Sequence, residues 1–371
     1  MSNPEVLKEA LAGLEVLVCV GPGGVGKTTV SASLALQASL VGRDAMVCTI
    51  DPARRLANSL GLKAFGNVET RIPDAIFEAA GLRPGAPLHA MMLDMKRSWD
   101  DLIGRTASPE VRDRIFANRF YKALSTALAG SQEYIAMEKL WELRRSRDSG
   151  LIVLDTPPTS HALDFLDAPD RLLAFMDNEA ARFFLTPARR AGKVGVKLFS
   201  LGSSFVLKQL SRVAGAQTLE ELGAFLGALS SLNEGFSERA RAVKALLADE
   251  KTGFVLVTTP AAERLDELIS FHAQLVRTGH RPVAVVVNRT HRMPDAELWL
   301  QAAALDDELR AAVERTLSEA RLLAERDEAG IALLRQKVDT PLVIVPRFGS
   351  DVHDLSALAQ TAAYLVGDRA P

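Results

Sequence analysis

The chain has only two cysteines in 371 residues, Cys19 and Cys48. Both fall in apolar runs that read as buried strands, so they are expected as small core residues rather than a disulfide or a metal-binding pair. A reducing cytoplasm is then the default compartment. Excess charge is equally scarce: 44 lysines and arginines face 46 acidic residues, a formal net charge of −2. Such near-neutrality excludes a general nucleic-acid coat, and no nucleic-acid partner is expected. The longest charge-free run, Thr28 to Gly42, is rich in serine, alanine and threonine, and nothing in the chain reads as a bilayer span. The opening MSNPEVLKEA has no basic segment followed by an apolar one, so no signal peptide is expected. The six histidines, His89, His161, His272, His280, His291 and His353, show no metal-ligand spacing. There is no internal repeat, low-complexity tract or proline-rich linker, which favours an inserted subdomain over a tethered one.

What is present is a soluble globular composition, 48% hydrophobic and 24% charged. The length suits one large domain, or a core domain with a substantial insertion. The most informative stretch is Gly21 to Thr29, GPGGVGKTT, between the apolar run Val16 to Val20 and the small-residue run Val30 to Leu40. It fits the phosphate-loop pattern G-x-x-x-x-G-K-[ST], with a strand before it and a helix after it. Gly21, Gly23, Gly24 and Gly26 are expected to take positive φ and turn backbone N–H groups toward phosphate oxygens. The helix starting near Lys27 aims its positive end at the same place. Lys27 is expected to reach the β- and γ-phosphates, and Thr28 to place its hydroxyl on Mg²⁺. Val25 and Thr29 complete the phosphate-binding set.

Strand-like and helix-like stretches alternate along the rest of the chain, which predicts a mostly parallel sheet wrapped by helices with active residues at strand carboxyl ends. Strands are expected at Ala45 to Ile50, Leu151 to Leu154, Phe254 to Val257, Val283 to Val287 and Leu342 to Val345. Asp51 and Asp155 each follow one of these runs. Asp155 reads as the carboxylate that holds Mg²⁺, directly or through water, or else as a turn residue. Asp51 reads as the group that orients or deprotonates an attacking water and belongs to the Mg²⁺ set, or else as a cap before Pro52. From about Pro87 the spacing of Met91, Met92, Met95, Trp99 and Ile103 predicts helix. A second helical block runs from about Arg171 to Ala248, and Ala296 to Lys337 reads as charged helix with solvated faces. The expected organisation is a core of residues 1–85, 146–170 and 250–371 and a helical insertion of residues 86–145 and 171–249.

The ordered set GPGGVGKTT, DPARRLANSLG, DTPPTSHALDFLDAP, VVVNRT and VPRFGSDVHDL resembles the ArsA and Get-pathway ATPase family. That family comprises arsenite-pump ATPases and the ATPases that target tail-anchored membrane proteins. The resemblance implies an α/β P-loop NTPase of the SIMIBI type with a deviant Walker A loop and an inserted α-helical subdomain, in a bacterial member. It further implies ATP and Mg²⁺ as ligands and a dimer with two facing nucleotides. Asp51, with Pro52, Arg54 and Arg55 behind it, matches switch I, whose aspartate positions the attacking water. Asp155, Thr156, Pro157, Pro158, Thr159 and His161 match switch II, which senses the γ-phosphate and moves the helical subdomain. Asn288 matches an adenine-contacting asparagine, and Pro346, Arg347 and Phe348 match the loop that closes over the base.

The chain also departs from that pattern. The family usually has lysine at the second loop position, reaching across the dimer to the partner's phosphates, whereas this chain has Pro22. Charge supplied in trans is worth roughly 10³ to 10⁵ in rate. Slow hydrolysis, a partner chain that carries the lysine, or substitution by Arg54 and Arg55 are the alternatives; the two arginines also read as exposed residues at a helix start. No C-x-x-C follows Asn288, so no structural zinc is expected. Cys19 and Cys48 cannot form the clustered thiolates that arsenite requires. The insertion's Met91, Met92, Met95 and Met137, with Leu198, Phe199, Phe205, Val206 and Leu207, are expected either to line a groove for an apolar helix or simply to pack helix on helix. The expected partners are thus a second copy or a related ATPase, and a client with an apolar helix or a membrane protein. Two other functional classes stay open: a partition or division-site positioning switch, and the energising subunit of a membrane anion pump.

Overall fold

A computed structural model of the chain describes residues 2–50, 55–62, 66–118, 121–122, 131–147, 150–156, 167, 169–170, 221, 228, 233–303 and 305–368. In chain order it begins with α1 (Glu5–Gly13), β1 (Val16–Val20), α2 (Lys27–Leu40), β2 (Ala45–Thr49), α3 (Arg55–Ser59), β3 (Thr70–Arg71), α4 (Asp74–Ala79) and β4 (Leu88–Met92). There follow α5 (Met95–Thr106), α6 (Pro109–Ala117), α7 (Ser131–Ser146), β5 (Leu151–Asp155), α8 (Asn233–Leu247) and β6 (Thr252–Thr258). The remainder is α9 (Ala262–Arg277), β7 (Pro282–Thr290), α10 (Ala296–Ala303), α11 (Asp307–Lys337), β8 (Leu342–Pro346) and α12 (Leu355–Val366). The chain divides into two compact units: Met1–Leu93, Leu143–Leu163 and Leu247–Pro371 form one, Asp94–Glu142 and Asp164–Leu246 the other.

The first unit is built on one eight-stranded sheet of order β3-β4-β2-β5-β1-β6-β7-β8. Every pairing is parallel except β3 with β4 at one edge. Strands β1, β2, β5 and β6 are buried at every position, which is why they read as unbroken apolar runs rather than alternating ones. Helix α2 packs on β5 and α12. Its small side chains, Ser31, Ala32, Ser33, Ala35 and Ala38, are fully buried and let it lie close to the sheet. Its larger ones, Val30, Leu34 and Leu36, contribute about 1.5–3 kcal/mol each on burial. At the β8 edge, the Asn3 N–H donates to the Leu342 carbonyl at 2.8 Å and the Ile344 N–H to Ser2 Oγ at 3.1 Å, so the amino-terminal segment covers part of an otherwise open edge.

Residues 88–92 correct the sequence reading. They form β4, paired in register with β2, so Met91 and Met92 belong to the sheet and the helix begins only at Met95. The helical unit correspondingly starts at Asp94 rather than at residue 86. The run LHAMM is rich in residues that also suit helices, and five residues are too few for periodicity to decide. Met91 is 2% exposed within the sheet, and Met137 is fully buried inside α7 of the other unit, so neither side chain lines an open groove. The Met95 side chain and residues 198–207 lie outside the described residues.

The second unit packs aromatics and one buried ion pair. Trp99 on α5 sits 6.3 Å, centroid to centroid, from both Tyr134 on α7 and Phe236 on α8. Glu138 on α7, 2% exposed, accepts from the Arg239 guanidinium, which also lies 5.2 Å from the centroid of the Trp141 ring. Burial raises the Glu138 pKa, and Arg239 opposes the rise.

Cys19 and Cys48 are buried thiols in β1 and β2 that form no disulfide, and burial pushes the Cys19 pKa up to about 12. Thiolate is the reactive form. Neither cysteine is therefore expected to take up iodoacetamide near neutral pH until the protein is denatured, when both should react. Labelling followed by mass spectrometry checks this, and an adduct on either residue of the native protein contradicts the buried placement.

Candidate functional site

Strand β1 delivers the chain into the glycine loop, and α2 takes it away. Gly21, Gly24 and Gly26 have φ values of 150°, 78° and 96°, while Gly23 sits half-buried in the turn among them. At two of these positions a Cβ would collide with a neighbour. A Cβ at Gly21 would lie 2.1 Å from the Val257 carbonyl oxygen, and one at Gly26 would lie 2.3 Å from Asn288 Nδ2. Gly26 caps α2 without a side-chain hydrogen bond, the arrangement that favours an anion at this end of the helix. Lys27, 6% exposed, donates through Nζ to the carbonyls of Gly21 at 2.8 Å and Pro22 at 2.9 Å. Proline has no N–H but keeps its carbonyl, so Pro22 still takes part in holding the lysine.

One carboxylate lies beneath the loop. Asp155, at the carboxyl end of β5 and 1% exposed, accepts through Oδ2 from the Thr28 hydroxyl and from the Thr49 hydroxyl, each at 2.7 Å. The adjacent Thr156 donates from its hydroxyl to the Cys19 carbonyl at 2.8 Å, fastening the exit of β5 to β1. A hydroxyl and a carboxylate in direct contact are hard oxygen donors that fit Mg²⁺, which typically takes one or two protein ligands and completes its shell with water and phosphate. Among the described residues no group of three or more His, Cys, Asp or Glu side chains gathers as a metal cage, and Mg²⁺ bound this way needs none.

The opposite wall comes from the ends of β7 and β8. The buried Asn288 side chain donates to the Val25 carbonyl at 2.8 Å and accepts from the Arg289 N–H at 3.0 Å. Arg289 has φ 59°, and its Nη1 donates to the Gly24 carbonyl at 2.9 Å. The Arg347 N–H donates to the Thr290 carbonyl at 2.9 Å, joining the two strand ends, and the half-buried Phe348 ring packs 5.6 Å from Tyr364. On α11, Asp327 is 2% exposed and accepts from both the backbone N–H and Nδ1 of His291 at 2.8 Å.

These walls enclose a cleft of about 980 Å³. Of the residues expected at the site, Gly24, Gly26, Lys27, Thr28, Thr29, Thr156, Asn288, Pro346, Arg347 and Phe348 all line it. Val25 and Asp155 lie buried beside it. Asp51, Pro52, Arg54, Pro157, Pro158, Thr159 and His161 fall outside the described residues, and of Arg55 only the backbone, opening α3, is described.

Three participants escaped the sequence reading. Thr49 gave no signal beyond ending an apolar run. Asp327 looked like any acid of a solvated helix, yet it is buried; only a tertiary contact distinguishes it. Arg289 carried one usable cue, its place directly after Asn288 at a strand end.

Comparison with known proteins agrees with this geometry. The family model described as "Anion-transporting ATPase" matches residues 14–298. The protein named ATPase GET3 from Malassezia globosa is 31% identical over 291 residues, covering 78% of this chain and 77% of its own. One named ATPase get3 from Aspergillus terreus is 30% identical over 226 residues, 59% of this chain and 57% of its own. Another from Schizosaccharomyces japonicus is 28% identical over 223 residues, 58% and 59% respectively. With a phosphate loop at the end of β1, a carboxylate at the end of β5 and a family match over most of its length, the chain belongs to the anion-transporting ATPase family and is an ATPase.

Proposed function

We propose that the protein is a Mg²⁺-dependent, cytoplasmic ATPase that works as a dimer, homomeric or with a related ATPase chain. Its nucleotide state is coupled to binding of a client or membrane partner through the helical insertion. The observation that carries the nucleotide part is the convergence on one cleft of the uncapped α2 N-terminus, the buried Lys27 ammonium and the Thr28–Asp155 pair. The dimer and client parts are supported by the resemblance of the ordered motifs to the Get-pathway ATPases. Among the described residues no helix is long and apolar enough to cross a membrane.

In this reading the loop amides, with Gly24, Gly26 and Lys27, hold the β- and γ-phosphates against the α2 N-terminus. Thr28 and Asp155 are the residues that would hold Mg²⁺, which neutralises charge on the triphosphate. Asp51 orients the attacking water and accepts its proton as the bond from the γ-phosphorus to the bridging oxygen breaks. Asn288 and the Pro346–Phe348 loop hold adenine. The segment Asp155–Thr159 senses the γ-phosphate, because its first residue shares a hydrogen bond with Thr28. The charge that Pro22 does not supply comes from Arg54 and Arg55 or from a related partner chain, and without either hydrolysis is slow.

Phosphate release from Mg²⁺-ATP is expected to fall about 10²-fold or more in Lys27→Ala and to baseline on chelation of Mg²⁺. A rate unaffected by either change would rule out this site as the source of hydrolysis.

Client handling is tested with Asp51→Asn, expected to bind ATP without hydrolysing it. Purified from its native cell with Mg²⁺ and ATP, it should retain membrane proteins with exposed apolar helices, identified by mass spectrometry. Recovery of a second ATPase-like chain alone would overturn the client reading and establish a heterodimer.

A further inference from the structure

Arg289 is the one non-glycine residue with positive φ among the described residues. A left-handed backbone is unfavourable for a residue with a long side chain, and such outliers mark functional sites when the surroundings enforce them. Here they do. The β7–β8 register shifts between Val287 and Thr290, a bulge of the kind that re-aims a side chain beside an active site. The Arg289 N–H is taken by Asn288 Oδ1, and Nη1 reaches the Gly24 carbonyl at the phosphate loop. The strand end is thus bent to lay this one side chain between Asn288 and Gly24.

Neither burial nor ion pairing explains the arrangement. Arg289 is exposed to the cleft, and no carboxylate lies within ion-pair range of it among the described residues. Phe348, half-buried and held by Tyr364, lines the same cleft. A guanidinium plane stacks favourably on an aromatic π-face, and a purine offers two such faces.

Resting on the nucleotide reading above, we propose that Arg289 is a clasp for the nucleoside. Its side chain covers one face of the base and ribose while Phe348 covers the other, and its guanidinium stays pinned to the Gly24 carbonyl. A bound nucleoside thereby holds the phosphate loop in its binding form. The part of the ligand read by Arg289 is the planar base, not the phosphate chain.

The test compares two ligands on the full-length protein, Mg²⁺-ADP and inorganic tripolyphosphate with Mg²⁺, by isothermal titration. Arg289→Ala is expected to weaken ADP about tenfold or more and tripolyphosphate several-fold less than ADP, the difference being the contribution of the base. Arg289→Lys, which keeps a stem and a donor for Gly24 but not the guanidinium plane, is expected to leave most of the ADP loss in place. Unchanged ADP affinity would overturn the clasp, and so would an equal loss for tripolyphosphate, which would make Arg289 a phosphate ligand or a plain loop support. Should Arg289→Ala fail to fold, Arg289→Met, with the stem but not the donor, carries the same comparison. A wild type that binds tripolyphosphate but not ADP overturns the clasp; one that binds neither overturns the nucleotide reading itself.

Discussion

The site depends on one buried carboxylate. Asp155 cannot remain charged and nearly inaccessible without donors, and its donors come from two different elements: Thr28 in the first turn of α2 and Thr49 at the end of β2. A single oxygen therefore ties the phosphate-loop helix to two neighbouring parallel strands. Thr156, one residue on, ties the same strand exit to β1 through the Cys19 carbonyl. The two hydroxyls play unequal parts. Thr28 faces the cleft and is available to a metal, whereas Thr49 is buried and keeps the carboxylate oriented whichever partner Thr28 has.

On the other side of the cleft the loop is held from above. Asn288 takes the Val25 carbonyl and Arg289 the Gly24 carbonyl, while Lys27 is folded onto the carbonyls of Gly21 and Pro22. Four consecutive or near-consecutive loop carbonyls are thus occupied by side chains. With its carbonyls held, the loop keeps its N–H groups for another acceptor. Pro22 fits this frame because the position uses only its carbonyl.

The sheet was largely legible because parallel strands buried on both faces spell themselves as continuous apolar runs, and the glycine loop because Gly21 and Gly26 have no room for a Cβ. The strand β4 was not, since a five-residue run of His, Ala, Met and Leu satisfies helix and strand alike; its pairing with β2 decides the matter. The two-residue β3 has no pattern to read. Asp327 and Arg289 were illegible for a different reason. Burial of one acid on a charged helix, and a left-handed backbone at a bulge, are products of tertiary contact that leave no periodic trace. Met91 and Met137 follow the packing reading, one of the two the spacing left open, and both are buried.

The central claim is that this cleft, and no other surface, receives an adenine nucleotide. Photo-crosslinking with azido-ATP in the presence of Mg²⁺, followed by peptide mapping, tests it most directly. The account predicts label within residues 288–291 or 346–353, abolished by an excess of unmodified ATP. Label elsewhere, or label that ATP does not displace, would contradict it.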